Sequence, residues 1–288
     1  MSAGSATPER VFRLVLEYDG TAFEGWQIQA GARPSRTVQG VLLEAATELT
    51  GTTPRLRGAG RTDAGVHAEG QVASLTLATG LAPDRLAAAL NARLPADLAI
   101  VRCAEAPTGW DALRAARAKH YRYAIWNGWT RSPLRAARSA HVREPLDPDR
   151  MRAAARAFVG RHDFASMQAA GSDVQTTVRT LTRLDVIGAS GAEIVLDVEG
   201  EGVLRHMVRN LAGTLIEIGR GRFEVPAAAE ILAGRDRGRA GPTAPAAGLS
   251  LVRVWDDLDP GDPPRGRPAG GGEGAEVPDS VDGNPPVL

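Results

Sequence analysis

Apolar residues in this chain recur with two different periods, and the order in which those periods alternate limits the fold more than any other feature. Residues 11–18 (VFRLVLEY) alternate apolar and polar with β-branched side chains, and Asp19-Gly20 follows as a turn would. Residues 37–49 instead set Val38, Val41, Leu42, Ala45, Ala46 and Leu49 on one helical stripe, with Gly51 just past its end. The same reading predicts strands over 71–77, 98–103 and 119–126, and a helix over 83–93 opened by Pro83. After a basic, irregular stretch, helices are expected over 149–159, 203–218 and 227–232, and strands over 176–187, 193–198 and 249–255. The helix over 203–218 has the clearest stripe, with Val203, Leu204, Met207, Val208, Leu211 and Leu215 on one face. Strand–helix–strand units thus occur in both halves in irregular order, which predicts an α+β fold rather than a doubly wound sheet.

The 288 residues suit one large or two modest domains. The expected divisions are a flexible start (1–10), an N-terminal α+β half (11–112), a C-terminal α+β half (113–256) and a tail (257–288) whose Pro, Gly and acids predict disorder. No uncharged apolar stretch reaches the roughly 18 residues that a membrane-spanning helix needs, and residues 1–10 lack the apolar core of a signal peptide. Cys103 is the only cysteine, so an internal disulfide is impossible and a thiolate metal site implausible. A cytoplasmic protein is expected.

Net charge is zero, but it is unevenly spread. The tail holds seven acids and two bases, so the body carries 32 bases against 27 acids. Residues 113–143 hold eight bases (Arg114, Arg117, Lys119, Arg122, Arg131, Arg135, Arg138 and Arg143) and no acid. Lys119 is the only lysine. A coding bias that replaces lysine with arginine accounts for the ratio of the two, but not for the missing acids. Guanidinium forks suit phosphate geometry and stack on bases, so the run predicts a nucleic-acid surface.

Chemistry concentrates in Gly58-Ala-Gly-Arg-Thr-Asp-Ala-Gly65. It fails as a dinucleotide fingerprint, since Asp63 stands where the third glycine belongs and would repel a pyrophosphate; no Gly-Lys-Ser/Thr follows to make a Walker loop. What remains is a glycine-flanked loop presenting Arg61, Thr62 and Asp63. Its plain alternative is an Asp that caps a turn and pairs with Arg61. Tyr121 and Tyr123 are expected on one face of a strand with Arg122 on the other, where an aromatic could stack a splayed base; one of the two is expected at a core edge instead. Arg205 and Arg209, four apart on the expected helix, would share a face and repel, which suggests an anionic partner; a solvated face is the alternative. Gly213, one turn on, would let something pack close. The five histidines lack metal-ligand spacing, and His206 reads as structural. No Gly-x-Ser-x-Gly elbow occurs, and Cys103 lies in an apolar strand. Carboxylate chemistry centred on Asp63 is the surviving enzyme class.

The segment Arg61-Thr-Asp-Ala-Gly-Val-His67, with Gly70-Gln-Val72 after it, closely resembles the catalytic motif of the tRNA pseudouridine synthase A family. Leu16-Glu-Tyr-Asp-Gly-Thr-Ala-Phe-Glu-Gly-Trp-Gln27, Tyr121-Arg-Tyr123, His206-Met-Val-Arg-Asn210 with Gly213-Thr214, and Gly248-Leu-Ser-Leu251 are similar to further elements of that family, so the likeness spans about residues 11–255. The resemblance implies an isomerase that converts uridine to pseudouridine at positions 38, 39 and 40 of the tRNA anticodon stem-loop, without metal or organic cofactor. It also implies two ferredoxin-like halves around a central RNA-binding cleft, and a homodimer whose two subunits share each tRNA. By motif it makes Asp63 the nucleophile, Arg209 its carboxylate's partner, Tyr121 the ring against the target base, and Arg61 a residue that extrudes the base and holds RNA; Arg205 is a further expected RNA contact. Whether Asp63 attacks the sugar, attacks the base or acts through a glycal route stays open.

Two departures stand out. Trp110-Asp-Ala-Leu-Arg114 puts Leu113 where the family has arginine, and on a strand Arg114 would face the other side. Met167 stands where the family tends to have phenylalanine, a tolerable core exchange. An RNA binder without catalysis is disfavoured because it would need none of Asp63, Tyr121 and Arg209. A hydrolase using Asp63 lacks an evident second carboxylate or metal cluster.

Overall fold

The computed structural model describes residues 8–29, 35–169, 171, 174–259 and 261. In chain order the strands and helices are β1 (Glu9–Tyr18), α1 (Val38–Thr50), β2 (Arg55–Gly58), β3 (His67–Ala78), α2 (Pro83–Asn91), β4 (Leu98–Ala106), α3 (Ala112–Ala115), β5 (Ala118–Trp126), β6 (Ala140–His141), α4 (Pro148–Ala155), β7 (Gly160–Asp163), β8 (Val178–Gly188), β9 (Glu193–Glu201), α5 (Met207–Gly219), α6 (Ala227–Gly234) and β10 (Leu249–Trp255). The ten strands form one mixed sheet in the order β4-β1-β3-β10-β5-β9-β8-β7, with β2 beside β3 and β6 beside β5. This is the α+β class that the alternating periods predict.

Most pairings are antiparallel; β10 runs parallel to β3 and antiparallel to β5, so the last of the described strands joins the two sides of the sheet. Helix α2 packs on β4, α4 on β8 and α5 on β5. Phe12, Leu14 and Leu16 of β1, Leu42 of α1 and Leu75 of β3 are buried in one continuous apolar cluster with Leu196 of β9 and Leu211 and Leu215 of α5. Each such leucine contributes roughly 1.5–3 kcal/mol by leaving water.

Local signals explain the helix ends. Thr37 accepts from the Gly40 backbone N–H to cap α1, and Gly51 closes it at φ 74°. Helix α5 differs from expectation. It begins at Met207 rather than at residue 203, because His206 sits in the left-handed region at φ 61° and breaks the helical path. Arg205 is therefore not on the helix, and its expected shared face with Arg209 does not exist. Residues 110–114 also depart from the strand assumed for them. Asp111 accepts from the Leu113 and Arg114 N–H groups and starts the short helix α3, which leaves Leu113 and Arg114 both exposed. Strands β2, β6 and β7 are too short to show a period in the sequence.

Described residues of the expected flexible start and of the expected tail are held by the fold. Glu9 and Arg10 pair with Ala78 and Leu77 in the sheet. Asp257 accepts a hydrogen bond from the Trp110 indole at 2.7 Å, and Asp259 accepts one from Arg253 at 2.6 Å. Residues 1–7, 260 and 262–288, which hold the rest of the expected flexible start and acidic tail, lie outside the described residues.

Candidate active site

The loop that carries Asp63 leaves β2, turns, and enters β3. Val66 N–H donates to the Asp63 carbonyl at 3.1 Å, with Gly65 at φ 77° in the third position of that turn, where an L side chain would be strained. The residues after β1 cradle the loop: Trp26 N–H donates to Thr62 O at 3.0 Å, Gly65 N–H donates to Phe23 O at 3.2 Å, and the Tyr18 and Thr62 hydroxyls lie 2.8 Å apart. Burial pushes the Tyr18 phenol up to about 12, so it stays neutral and can serve as a fixed strut. His67 is buried, and its Nδ1 lies 3.0 Å from the Gly20 N and 3.3 Å from Asp19 Oδ1, tying the start of β3 to the turn after β1.

Strand β10 brings the other side of the sheet to this loop. Leu251 pairs with Ala68 of β3 on one side and with Tyr121 of β5 on the other. Tyr121 thus stands two strand spacings, roughly 10 Å, from the residue just after His67. Its ring is buried at 8% exposure. Burial first, then the nearby Tyr18 and Asp63, raises its phenol well above the ordinary value, so it is neutral. Tyr123 shares its face but is fully buried and donates to Pro245 O at 2.9 Å; of the two tyrosines it is the core residue.

Asp63 meets α5. Arg209 Nη1 lies 3.2 Å from Asp63 Oδ2, and Arg209 Nε donates to Ala244 O at 2.8 Å, which fixes the plane of the guanidinium. Asp63 does not pair with Arg61, so the capped-turn alternative fails. His206 Nε2 also lies 3.2 Å from Oδ2. Among the described residues no side chain engages Oδ1, and the Asp63 side chain remains 29% exposed. The carboxylate is held by one oxygen and open at the other.

His206 is the residue that sequence reasoning missed. A lone histidine on an apolar helix is ordinarily structural, and only its place in the His206–Asn210 motif could have raised it. Its left-handed backbone stores strain of about 1–3 kcal/mol and aims the ring at Asp63. Burial lowers its pKa below the ordinary value, Arg209 and Arg205 lower it further, and Asp63 opposes them. A depressed histidine is protonated more readily in the unfolded chain, so its effect on stability sets in only as pH falls from the ordinary imidazole value toward the lowered one. Titration followed by NMR should place His206 below a free histidine. Asp63→Asn should move it lower still, and Arg209→Met should move it up. A rise in Asp63→Asn would contradict this electrostatic picture.

The remaining expected residues fall at the margin. Arg61 and Arg205 are exposed and, among the described residues, make no side-chain ion pair or hydrogen bond. Within the acid-free run, several bases meet acids from elsewhere in the chain: Arg138 with Asp19 at 3.3 Å, Arg135 with Glu193 at 3.3 Å, and Arg122 with Asp197 at 3.6 Å. Arg143 instead lies 3.8 Å over the Trp129 ring. Such exposed pairs are worth only about 0–1 kcal/mol and can exchange for phosphate. Asn210 is wholly buried, donating to Met167 O and accepting from Thr243 and Arg237, so it anchors the segment that carries Ala244. Cys103 is raised to about 11 by burial and is no nucleophile at neutral pH. Among the described residues no group of three or more His, Cys, Asp or Glu could hold a metal, and no helix is long and apolar enough to cross a membrane.

The sequence profile of the family described as tRNA pseudouridine synthase matches residues 14–112 and 154–255. Among curated proteins, the chain is 48% identical over 245 residues to the tRNA pseudouridine synthase A of Pelobacter propionicus, covering 85% of this chain and 99% of that one. It is 46% identical over 254 residues to the protein of the same name in Methylobacterium radiotolerans (87% and 98%) and 45% identical over 243 residues to that of Myxococcus xanthus (84% and 91%).

Proposed function

The chain belongs to the tRNA pseudouridine synthase family, isomerases that convert uridine to pseudouridine in tRNA, and from that premise we propose that it acts on uridines 38, 39 and 40 of the anticodon stem-loop with Asp63 as nucleophile. One observation carries the assignment: Arg209 and His206 hold Asp63 Oδ2 while no side chain among the described residues engages Oδ1, beside the neutral ring of Tyr121. The reaction breaks N1–C1′, turns the base, joins C5 to C1′, releases the C5 proton and protonates N1. Whether the carboxylate meets C1′ or C6, it needs an oxygen not already engaged, and this site keeps one in reserve. The target base must leave its stack, and the Tyr121 face offers replacement stacking worth about 1–3 kcal/mol. Arg61 and Arg205 are assigned to RNA contact, since both are exposed cations that make no side-chain ion pair or hydrogen bond among the described residues.

The reading extends to architecture. Two separate stretches of the family profile, falling on either side of residues 113–153, support two ferredoxin-like halves around a central cleft, with β10 between them. A cytoplasmic homodimer in which each tRNA touches both subunits completes the proposal.

The test is tritium release from tRNA carrying 5-tritiated uridine, because forming the C5 glycosidic bond expels the C5 hydrogen. Release from tRNA with uridine at 38, 39 or 40, and none when those positions are cytidine, is the expected result. Release that persists after all three are replaced would move the target elsewhere in the tRNA.

A further inference from the structure

Of the eight bases in the acid-free run, Lys119 goes somewhere different from the rest. It lies on β5 two residues before Tyr121, so both side chains leave the same face of the strand, roughly 6–7 Å apart along it. Its ammonium lies against Gly60, three residues before Asp63, so closely that a Cβ on Gly60 would overlap Nζ. The Gly60 carbonyl is already taken by Gln71 Nε2 at 2.9 Å. Among the described residues Lys119 Nζ has neither a hydrogen bond nor a carboxylate partner. Burial, with no charge to offset it, lowers its pKa to about 8.

Lys119 is half-buried and its ammonium keeps contact with solvent, so water serves it where structural lysines are paired by a carboxylate. An ammonium against the Asp63 loop, open to solvent and unpaired among the described residues, is available to an anion that arrives with the substrate. We propose that Lys119 binds the phosphodiester flanking the target uridine, and so fixes the backbone on which that nucleotide turns into the site. The inference rests on the RNA reading above. Placement supports it twice over. The ammonium lies against Gly60, the residue before Arg61, at the start of the loop that presents Asp63. Lys119 also stands one strand repeat from Tyr121, whose ring is assigned to the flipped base, so a phosphate beside that nucleotide would pass within its reach. When a phosphate docks, the lowered pKa rises again and the lysine binds as a full cation.

The experiment is a protein–RNA double-mutant cycle read by binding. Wild type, Lys119→Met and Gly60→Ala are titrated with an anticodon-arm hairpin and with hairpins that each carry a single uncharged methylphosphonate linkage. Lys119→Met should weaken binding of the unmodified hairpin about tenfold and flatten the salt dependence by the one phosphate contact, about 0.7–0.9 in slope. Neutralising a linkage beside the target uridine should cost wild type about as much and cost Lys119→Met almost nothing more. Gly60→Ala keeps the charge but displaces it, so it should lose part of the same affinity even if Lys119→Met folds poorly by circular dichroism. Additive losses, or coupling only to a remote linkage, would overturn the proposal. Tritium release in parallel separates it from the parent reading: coupling without release retains the phosphate contact and removes the isomerase assignment at this site, while release without coupling does the reverse.

Discussion

Asp63→Asn should reduce tritium release by at least about 10⁴-fold, the scale of loss when a nucleophile is removed rather than weakened. Asparagine keeps one oxygen that Arg209 and His206 can hold, so the loop geometry should survive; what disappears is a carboxylate oxygen able to bond to carbon. Affinity for tRNA should stay within a few-fold of wild type, because Asp63 carries the wrong sign to attract RNA. Turnover within tenfold of wild type would remove Asp63 as the nucleophile. Joint loss of turnover, binding and thermal stability would recast it as a structural anchor between its loop and α5.

The second large effect is expected at Gly213, which lies within α5 where the Pro242 carbonyl presses on the helix. A Cβ at this position would fall far inside van der Waals contact with that oxygen, and the obstacle is backbone, which cannot rotate away. Gly213→Ala must push the segment around Pro242 outward. That segment is tied to α5 by the Gly241 N–H donating to the Thr214 hydroxyl, and it carries the Ala244 carbonyl that orients Arg209. Destabilisation of about 3 kcal/mol is expected, with a melting temperature about 6–12 °C lower. Activity measured well below the new melting point should also fall, since Arg209 loses its brace. An unchanged melting temperature would mean the segment has slack to move, and the brace argument would go with it.

Much of this site is legible along the chain because its parts are local. The Asp63 loop announces itself through its glycines, the pleat of β5 puts Tyr121 and Tyr123 together, and Gly213 marks a close approach. What is not legible depends on distant partners or single backbone angles. Nothing in Leu204-Arg-His-Met207 signals a left-handed histidine, because the apolar stripe continues through Val203 and Leu204 as though the helix did. The error propagates to Arg205, which leaves the face it was expected to share. The run over 113–143 reads as bare positive charge because its acids are remote in sequence: Asp19 lies more than a hundred residues before Arg138. Asp111 could have been recognised as a helix cap, which would have removed the strand argument about Arg114.

The central position of β10 bears on how the molecule is made. Residues 249–255 arrive late in synthesis, yet they fill the gap between β3 and β5. Until then a growing chain carries two incomplete sheets, each with an open edge of unpaired backbone groups, the kind of edge that invites pairing with other chains. Closing the gap also requires contacts of long sequence separation, which makes it a slow step. Asp63 and Tyr121 flank that gap, and Arg209 is tied through Ala244 to the segment leading into β10. A ribosome-bound chain lacking β10 would therefore own Asp63, Tyr121 and Arg209 without the strand that joins their two sides of the sheet.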